Sequence, residues 1–305
     1  MTVPLFRFSI AVATPVVTIA SGDEIEFTVP DSDGLGPDLV PRPRDQFDLP
    51  DGDRFPGNPV YGPISVEGAA PGDLLQADIL GVWPDRAVAR TLIAPSHGFI
   101  PDELLCLPGE RLPERMVHWR LDGGYAVLDN SFGNCEKRLR LRPFIGTIGA
   151  APPEGSVSTM DAGDHGGNLD LPDLGPGTSL LLPVRVPGGL LAAGDLHAAQ
   201  GAGEMVGGGL EVSGKVRLRI RLLKNQTAPG PRYLHPQGRG AIATGATADA
   251  AIRQSFARMV LWMEELGLNR YDAYLLLSQS AEIRLGGLGQ RLATAACFLP
   301  GEALV

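Results

Sequence analysis

Along most of the chain, apolar residues recur at every second position or in short runs, and Gly, Pro, Asp or Asn closes nearly every run. A period of two sets alternate side chains on opposite faces of an extended strand, so this pattern predicts β-structure. One predicted strand, Glu24–Val29, follows a turn at Ser21-Gly22-Asp23. In the next, Ile64 and Val66 alternate with Ser65 and Glu67; after a turn at Pro71-Gly72-Asp73 a strand covers 74–82. Further strands are predicted over 87–94, 116–121, 125–128 and 139–148. The cleanest covers 215–222. There Val216, Leu218, Ile220 and Leu222 face one side, while Lys215, Arg217, Arg219 and Arg221 face the other. That basic stripe reads as solvated sheet surface rather than a phosphate site.

Helical spacing is confined to the last quarter. Ile252, Phe256, Met259, Val260, Met263 and Leu266 share one face of a helix that Thr247 caps and Gly267 ends. Asn269, with Asp272 three residues on, caps a second helix running through Ser280. Residues 30–63 show little period and are rich in Pro, Asp and Gly. They predict a long ordered loop of the kind that often carries function. The expected fold is therefore mainly β. A sandwich-like N-terminal part (1–145) packs on a barrel-like middle (146–225), and an α+β C-terminal part with two helices (226–305) closes the unit.

Composition sharpens this picture. The 40 Gly and 27 Pro make up more than a fifth of the 305 residues, against about 12% in ordinary usage. They are scattered as punctuation, which suits many short strands. A net charge of −9 argues against nucleic-acid binding, which needs basic surface to displace counterions, and against anionic membranes. No apolar run reaches the roughly 18 residues of a spanning helix. The apolar stretch near the N-terminus lacks a basic n-region and is interrupted by Pro15, so it reads as strand, not signal peptide. Cys106, Cys135 and Cys297 are sparse, odd in number and form no CxxC pair, which points to a reducing cytoplasm. All three read as small buried hydrophobes, with Cys135 the only one among polar turn residues. No GxSxG elbow accompanies Ser96, Ser278 or Ser280.

The chemistry gathers in two segments. Of the five histidines, His165 lies in Asp164-His165-Gly166-Gly167-Asn168-Leu169-Asp170. His197 lies in Gly194-Asp195-Leu196-His197-Ala198-Ala199-Gln200-Gly201-Ala202-Gly203-Glu204. Imidazole and carboxylate together are the donors that zinc and similar divalent ions favour, and nearby Gly lets backbone approach an ion or a small substrate. Asp195 and His197 are two apart, so on a strand they point the same way, and tertiary closure would bring Asp170 to them.

The sequence GGNLDLPDLGPGTSLLLPVRVPGGLLAAGDLHAAQGAGE closely resembles the signature of the acetamidase/formamidase family. The segments GPISVEGAAPGDLLQADIL, LRPFIGTIGAAP and SGDEIEFTV, the pair Pro231-Arg232 and the two C-terminal helices extend the resemblance over nearly the whole chain. Leu196 stands where Gly is usual, Ala202 and Glu282 where Asp is usual, and a His- and Trp-rich N-terminal segment is lacking. The resemblance implies metal-dependent hydrolysis of a small linear amide to carboxylate and ammonia, by a homo-oligomer (dimer or higher). The ion expected is divalent: zinc first, with calcium as a second or structural ion. Asp170, Asp195, His197 and His165 are the expected ligands, with Asp195 and His197 also counted in the catalytic set. Glu204 is the expected general base. Asn168, Gln200, Gly167 and His97 are expected to hold the substrate, His97 being a further candidate ligand. The competing readings are an isomerase or lyase on the same scaffold and a non-catalytic metal-binding relative.

Overall fold

The structure, a computed structural model, describes residues 7–9, 14–39, 57–128 and 136–304. The expectations for Cys135, for the first residues of the N-terminal stretch and for 40–56 of the long loop lie outside these. The protein is mainly β, 42% strand and 13% helix, as the alternating pattern predicts.

Two large sheets carry the fold. The first runs in the order 162–163, 166–168, 144–149, 191–197, 211–212, 88–93, 115–122, 125–128, 137–140, and Val60–Val66 also pairs with Leu191–His197. The second runs 282–285, 293–300, 238–245, 232–235, 179–183, 74–84, 214–223, 24–29. Arg7–Ser9 and Ser156–Ser158 form a small separate pair. Among the described residues neither large sheet closes into a barrel. The middle stretch instead divides, sending 191–197 to the first sheet and 179–183 and 214–223 to the second. In either sheet each strand turns its apolar face to the shared interior. Ile64, Ile145, Leu191 and Leu196 of the first sheet meet Leu75, Ile79, Leu180 and Leu218 of the second in one core.

The strand Gly214–Leu223 alternates buried and exposed as its sequence requires. Its basic face is surface, but paired surface. Lys215 reaches Glu26 at 3.0 Å, Arg217 reaches Glu24 at 2.5 Å, Arg219 bonds Glu24 and Arg221 bonds Asp78. Residues expected as one strand over 139–148 form two, Lys137–Arg140 and Phe144–Gly149. Pro143, which cannot donate to a ladder, stands in the break.

Helix α1 (Asp102–Leu105) is a single turn. Helix α2 (Ala248–Glu265) starts where Thr247 accepts from Ala250 N at 3.2 Å, and Gly267, at φ 95°, ends it. Helix α3 (Arg270–Ser280) is capped by Asn269. Period-two alternation along Ala293–Pro300 shows what α2 covers. Ala296 and Phe298 face the sandwich core, while Cys297 and Leu299 meet Met259, Trp262 and Met263 of the helix. The buried face of α2 is rotated from the predicted stripe. Ala251, Ser255, Arg258, Met259, Trp262 and Met263 are its buried residues, and Leu266 is exposed. The Arg258 guanidinium causes part of this, reaching inward to Ile242 O at 2.9 Å and to Asp164. Among the described residues no helix is long and apolar enough to cross a membrane.

Candidate metal centre and active site

The site is built where the Leu191–His197 strand passes Phe144–Gly149. These strands pair in antiparallel register, Phe144 opposite His197 and Thr147 opposite Gly194, which sets Gly146 opposite Asp195. Gly146 has a specific task there. A Cβ at that position would lie 2.5 Å from Asp170 Oδ1 and 2.8 Å from Asp195 Oδ2. The Gly146 carbonyl also accepts from both Leu169 N and Asp170 N, each at 3.0 Å, and so folds the Asn168-Leu169-Asp170 turn back onto the strand. Gly146→Ala therefore displaces both carboxylates. The expected outcome is loss of metal and of most turnover with the β-sheet circular-dichroism signal retained; a Gly146→Ala variant that binds metal normally would remove this role.

Three acids of the site hold left-handed backbone: Asp170 (φ 44°), Asp195 (φ 56°) and Glu204 (φ 49°). Residues other than Gly rarely do so, and such conformations cluster where the surrounding structure fixes a functional side chain. The consequence is a convergence of acids. Asp170, Asp195, Glu204 and Glu211 are 1%, 2%, 8% and 9% exposed, and His197 is 1% exposed. His197 Nε2 stands 3.0 Å from Glu211 Oε1 and 3.4 Å from Asp195 Oδ1. Its ring meets Phe144 edge-on at 5.1 Å. Gln200 fixes the imidazole, with Oε1 2.6 Å from His197 Nδ1 and Nε2 donating to Asp170 O at 2.8 Å. A Gln carbonyl at Nδ1 favours the proton there, leaving Nε2 to face the acids.

Asp195 is held from behind. Its Oδ2 accepts from Asn58 Nδ2 at 2.8 Å and from Thr147 Oγ1 at 3.0 Å. Asn58 also donates to Asn168 Oδ1 at 2.7 Å, and Thr147 bonds the same oxygen. Gln290 bonds Asp170 Oδ2 and lies 3.4 Å from Glu204 Oε2.

Electrostatics make this cluster costly as it stands. Burial, then Glu204 and Asp195, push the Asp170 carboxyl well above the usual range. Burial also pushes Glu204 up to about 7 and raises Glu211. Burial works against charge on His197, but Glu211 and Asp195 outweigh it and raise that imidazole. No Lys or Arg side chain pairs with the four carboxylates among the described residues. Asp170 Oδ1 is buried with no hydrogen-bond partner. Ligand atoms of Asp170, Asp195 and His197 all lie within 4.8 Å of one another, as do those of His197, Glu204 and Glu211. An unpartnered carboxyl oxygen beside a second carboxyl group and an imidazole nitrogen is the donor set a small divalent cation fits, and the cation's charge would favour the ionised acids and offset their repulsion.

Of the residues picked out in the sequence, Asp170, Asp195, His197, Gln200 and Glu204 come together. Asn168 sits behind them, its carbonyl oxygen turned to Asn58 and Thr147. Gly167 pairs with Ile148 and Ala162 on the neighbouring strands. His97 is exposed on a loop whose Phe99 N donates to Met205 O at 2.9 Å. His165 does not join either group of ligand atoms; its ring packs edge-on against Phe8, centroids 5.2 Å apart. Glu211, Asn58, Thr147, Gly146 and Gln290 have no signal in sequence spacing. Cys297 is buried, and burial pushes its thiol up to about 12, which leaves it inert.

His165 gives a separate prediction. Burial lowers its pKa to about 4, while the unfolded chain titrates near 6.5, so between those values the unfolded state binds more protons. Stability is complete above about pH 6.5 and falls as pH drops towards 4, by about 3 kcal/mol. Chemical denaturation at stepped pH should show that loss, and His165→Leu should flatten it; identical pH slopes would discount the buried imidazole.

The sequence profile of the acetamidase/formamidase family matches residues 154–290, the stretch that supplies Asp170, Asp195, His197, Glu204 and Glu211. The acetamidase structure from Bacillus halodurans superposes with a TM-score of 0.84 at 30% identity, covering 99% of this chain and 96% of that one. The chain belongs to the acetamidase/formamidase family. It is by that membership an amidase, a hydrolase of carbon–nitrogen bonds. An acetamidase of Yersinia enterocolitica gives a TM-score of 0.85 at 29% identity, covering 99% and 90% of the two chains. A putative formamidase of Schizosaccharomyces pombe is 26% identical, over 72% of this chain and 70% of that relative.

Proposed function

We propose that the protein is a divalent-metal-dependent amidase that hydrolyses a linear amide to carboxylate and ammonia, with Asp170, Asp195 and His197 as the metal ligands. The observation that carries this reading is the unpartnered, buried Asp170 Oδ1 beside Asp195 and His197, in a cluster whose acids pair with no Lys or Arg side chain among the described residues. Two oxygens and an imidazole nitrogen suit zinc. When bound, such an ion polarises a carbonyl and lowers the pKa of water to about 7.

The chain's own groups supply the rest. Glu204, almost fully buried yet lining the adjoining cavity, accepts the attacking water's proton and returns it to the departing nitrogen. Gln200 holds the His197 tautomer. Asn58 and Thr147 aim Asp195, and Asn168 braces both. Gln200 and Asn168 are thus positioning residues, and the hydrogen bonds that occupy them leave substrate contact to Glu204 and the cavity wall.

The reading is tested by incubating metal-replete protein with a panel of amides and measuring ammonia and carboxylate together. Equimolar release of both is expected. Absence of release from every amide, with the metal in place, would favour a non-catalytic relative instead.

A further inference from the structure

Beside the acid cluster lies a cavity of about 950 Å³. Its wall is apolar, formed by Ile93, Val117, Trp119, Leu128, Leu139 and Leu210. Gln200 and Glu204 line the same cavity, so it opens onto the residues assigned to chemistry. The polar groups of its lining are few and mostly committed. Thr91 Oγ1 donates to Gly209 O at 2.8 Å, and Gln200 is bonded at both ends. Arg140 and Arg142 are exposed. The indole Nε1–H of Trp119 is buried with no partner.

Size and polarity together decide what fits. A water occupies about 30 Å³ of liquid, so a two-carbon amide with four heavy atoms fills on the order of a tenth of this cavity. Pockets of roughly 300–1,000 Å³ hold ligands of drug size, gripped mainly by apolar surface. A formamide-sized substrate would leave that wall wet and contribute nothing from it. From this we infer that the preferred substrate is an amide bearing an apolar alkyl or aryl substituent, seated against Trp119, Leu128 and Leu139 while its carbonyl reaches the acid cluster. The substituent's burial against this wall supplies the binding energy. This inference rests on the amidase reading of the same site.

The test is a series of primary amides, from formamide and acetamide to hexanamide and phenylacetamide, assayed by ammonia release with metal-replete protein. Each buried methylene should raise kcat/KM about fourfold, roughly 250-fold over the four methylenes from acetamide to hexanamide. Leu139→Trp, at a partly exposed wall position, should cut the hexanamide-to-acetamide ratio by at least about tenfold. Val117→Trp should do the same deeper in the wall. A second readout does not need turnover: calorimetry should show hexanoate and phenylacetate binding more tightly than acetate. A series that is flat or falls with chain length overturns the inference while the amidase reading stands, and leaves the wall to a second copy of the chain. If no amide turns over, the amidase reading fails; tighter binding of the long acids would still support the cavity assignment, and equal affinities would overturn it.

Discussion

Asp195→Asn is expected to lower ammonia release by about a thousandfold and to remove the bound cation with it. The substitution is chosen because it changes little else. Asn is among the few residues that accept left-handed backbone, so the φ of 56° at this position survives. One side-chain oxygen remains for Asn58 and Thr147 to bond. What disappears is a negative charge 3.4 Å from His197 Nε2. The stability of the metal-free protein should move the other way. With one of the four crowded, buried carboxyl groups replaced by a neutral amide, repulsion falls, so the metal-stripped variant should melt above metal-stripped wild type. A metal-replete comparison should reverse that order. Turnover and metal content both unchanged in Asp195→Asn would remove Asp195 from the centre.

Glu204→Gln is the second large effect, and it separates ligand from proton carrier. Removal of a positioned general base costs about 10²–10⁴ in kcat. Because Asp170, Asp195 and His197 remain, metal content should hold near the wild-type level. Gln keeps the volume of Glu, and its oxygen can still accept from Gln290, which lies 3.4 Å from Glu204 Oε2. Steady-state kinetics and elemental analysis on the same preparation check both halves. Loss of metal along with turnover would instead make Glu204 a ligand, in the group it forms with His197 and Glu211.

How far the sequence foretold this arrangement depends on whether the cause is local. The strands Glu24–Val29 and Gly214–Leu223 and the caps Thr247 and Asn269 follow from period and side-chain chemistry within a few residues. Asp195 and His197 were legible as a pair because they sit two apart on one strand. Asp170 was legible as a candidate, but its closure onto them depends on the Gly146 carbonyl, which no pattern around 170 reveals. Glu211 reaches His197 only because the Glu211–Val212 strand returns opposite it in register. Asn58 acts across 137 residues on Asp195; the long Pro- and Gly-rich loop marked the region but not the residue. His165 shows the opposite failure. Its neighbours resemble a ligand set, yet the ring turns to Phe8, because an imidazole is also a serviceable core side chain. The middle stretch failed as a barrel for a related reason. Alternation shows that a strand has an apolar face, not which of two sheets it joins.

The central claim, that the buried acids hold a catalytic divalent cation, is most directly tested by metal stoichiometry followed through chelation and reconstitution. The account predicts about one equivalent per chain, parallel loss of ion and ammonia release under a chelator, and recovery of both when zinc is restored. Full ammonia release from protein shown to be free of metal would contradict it.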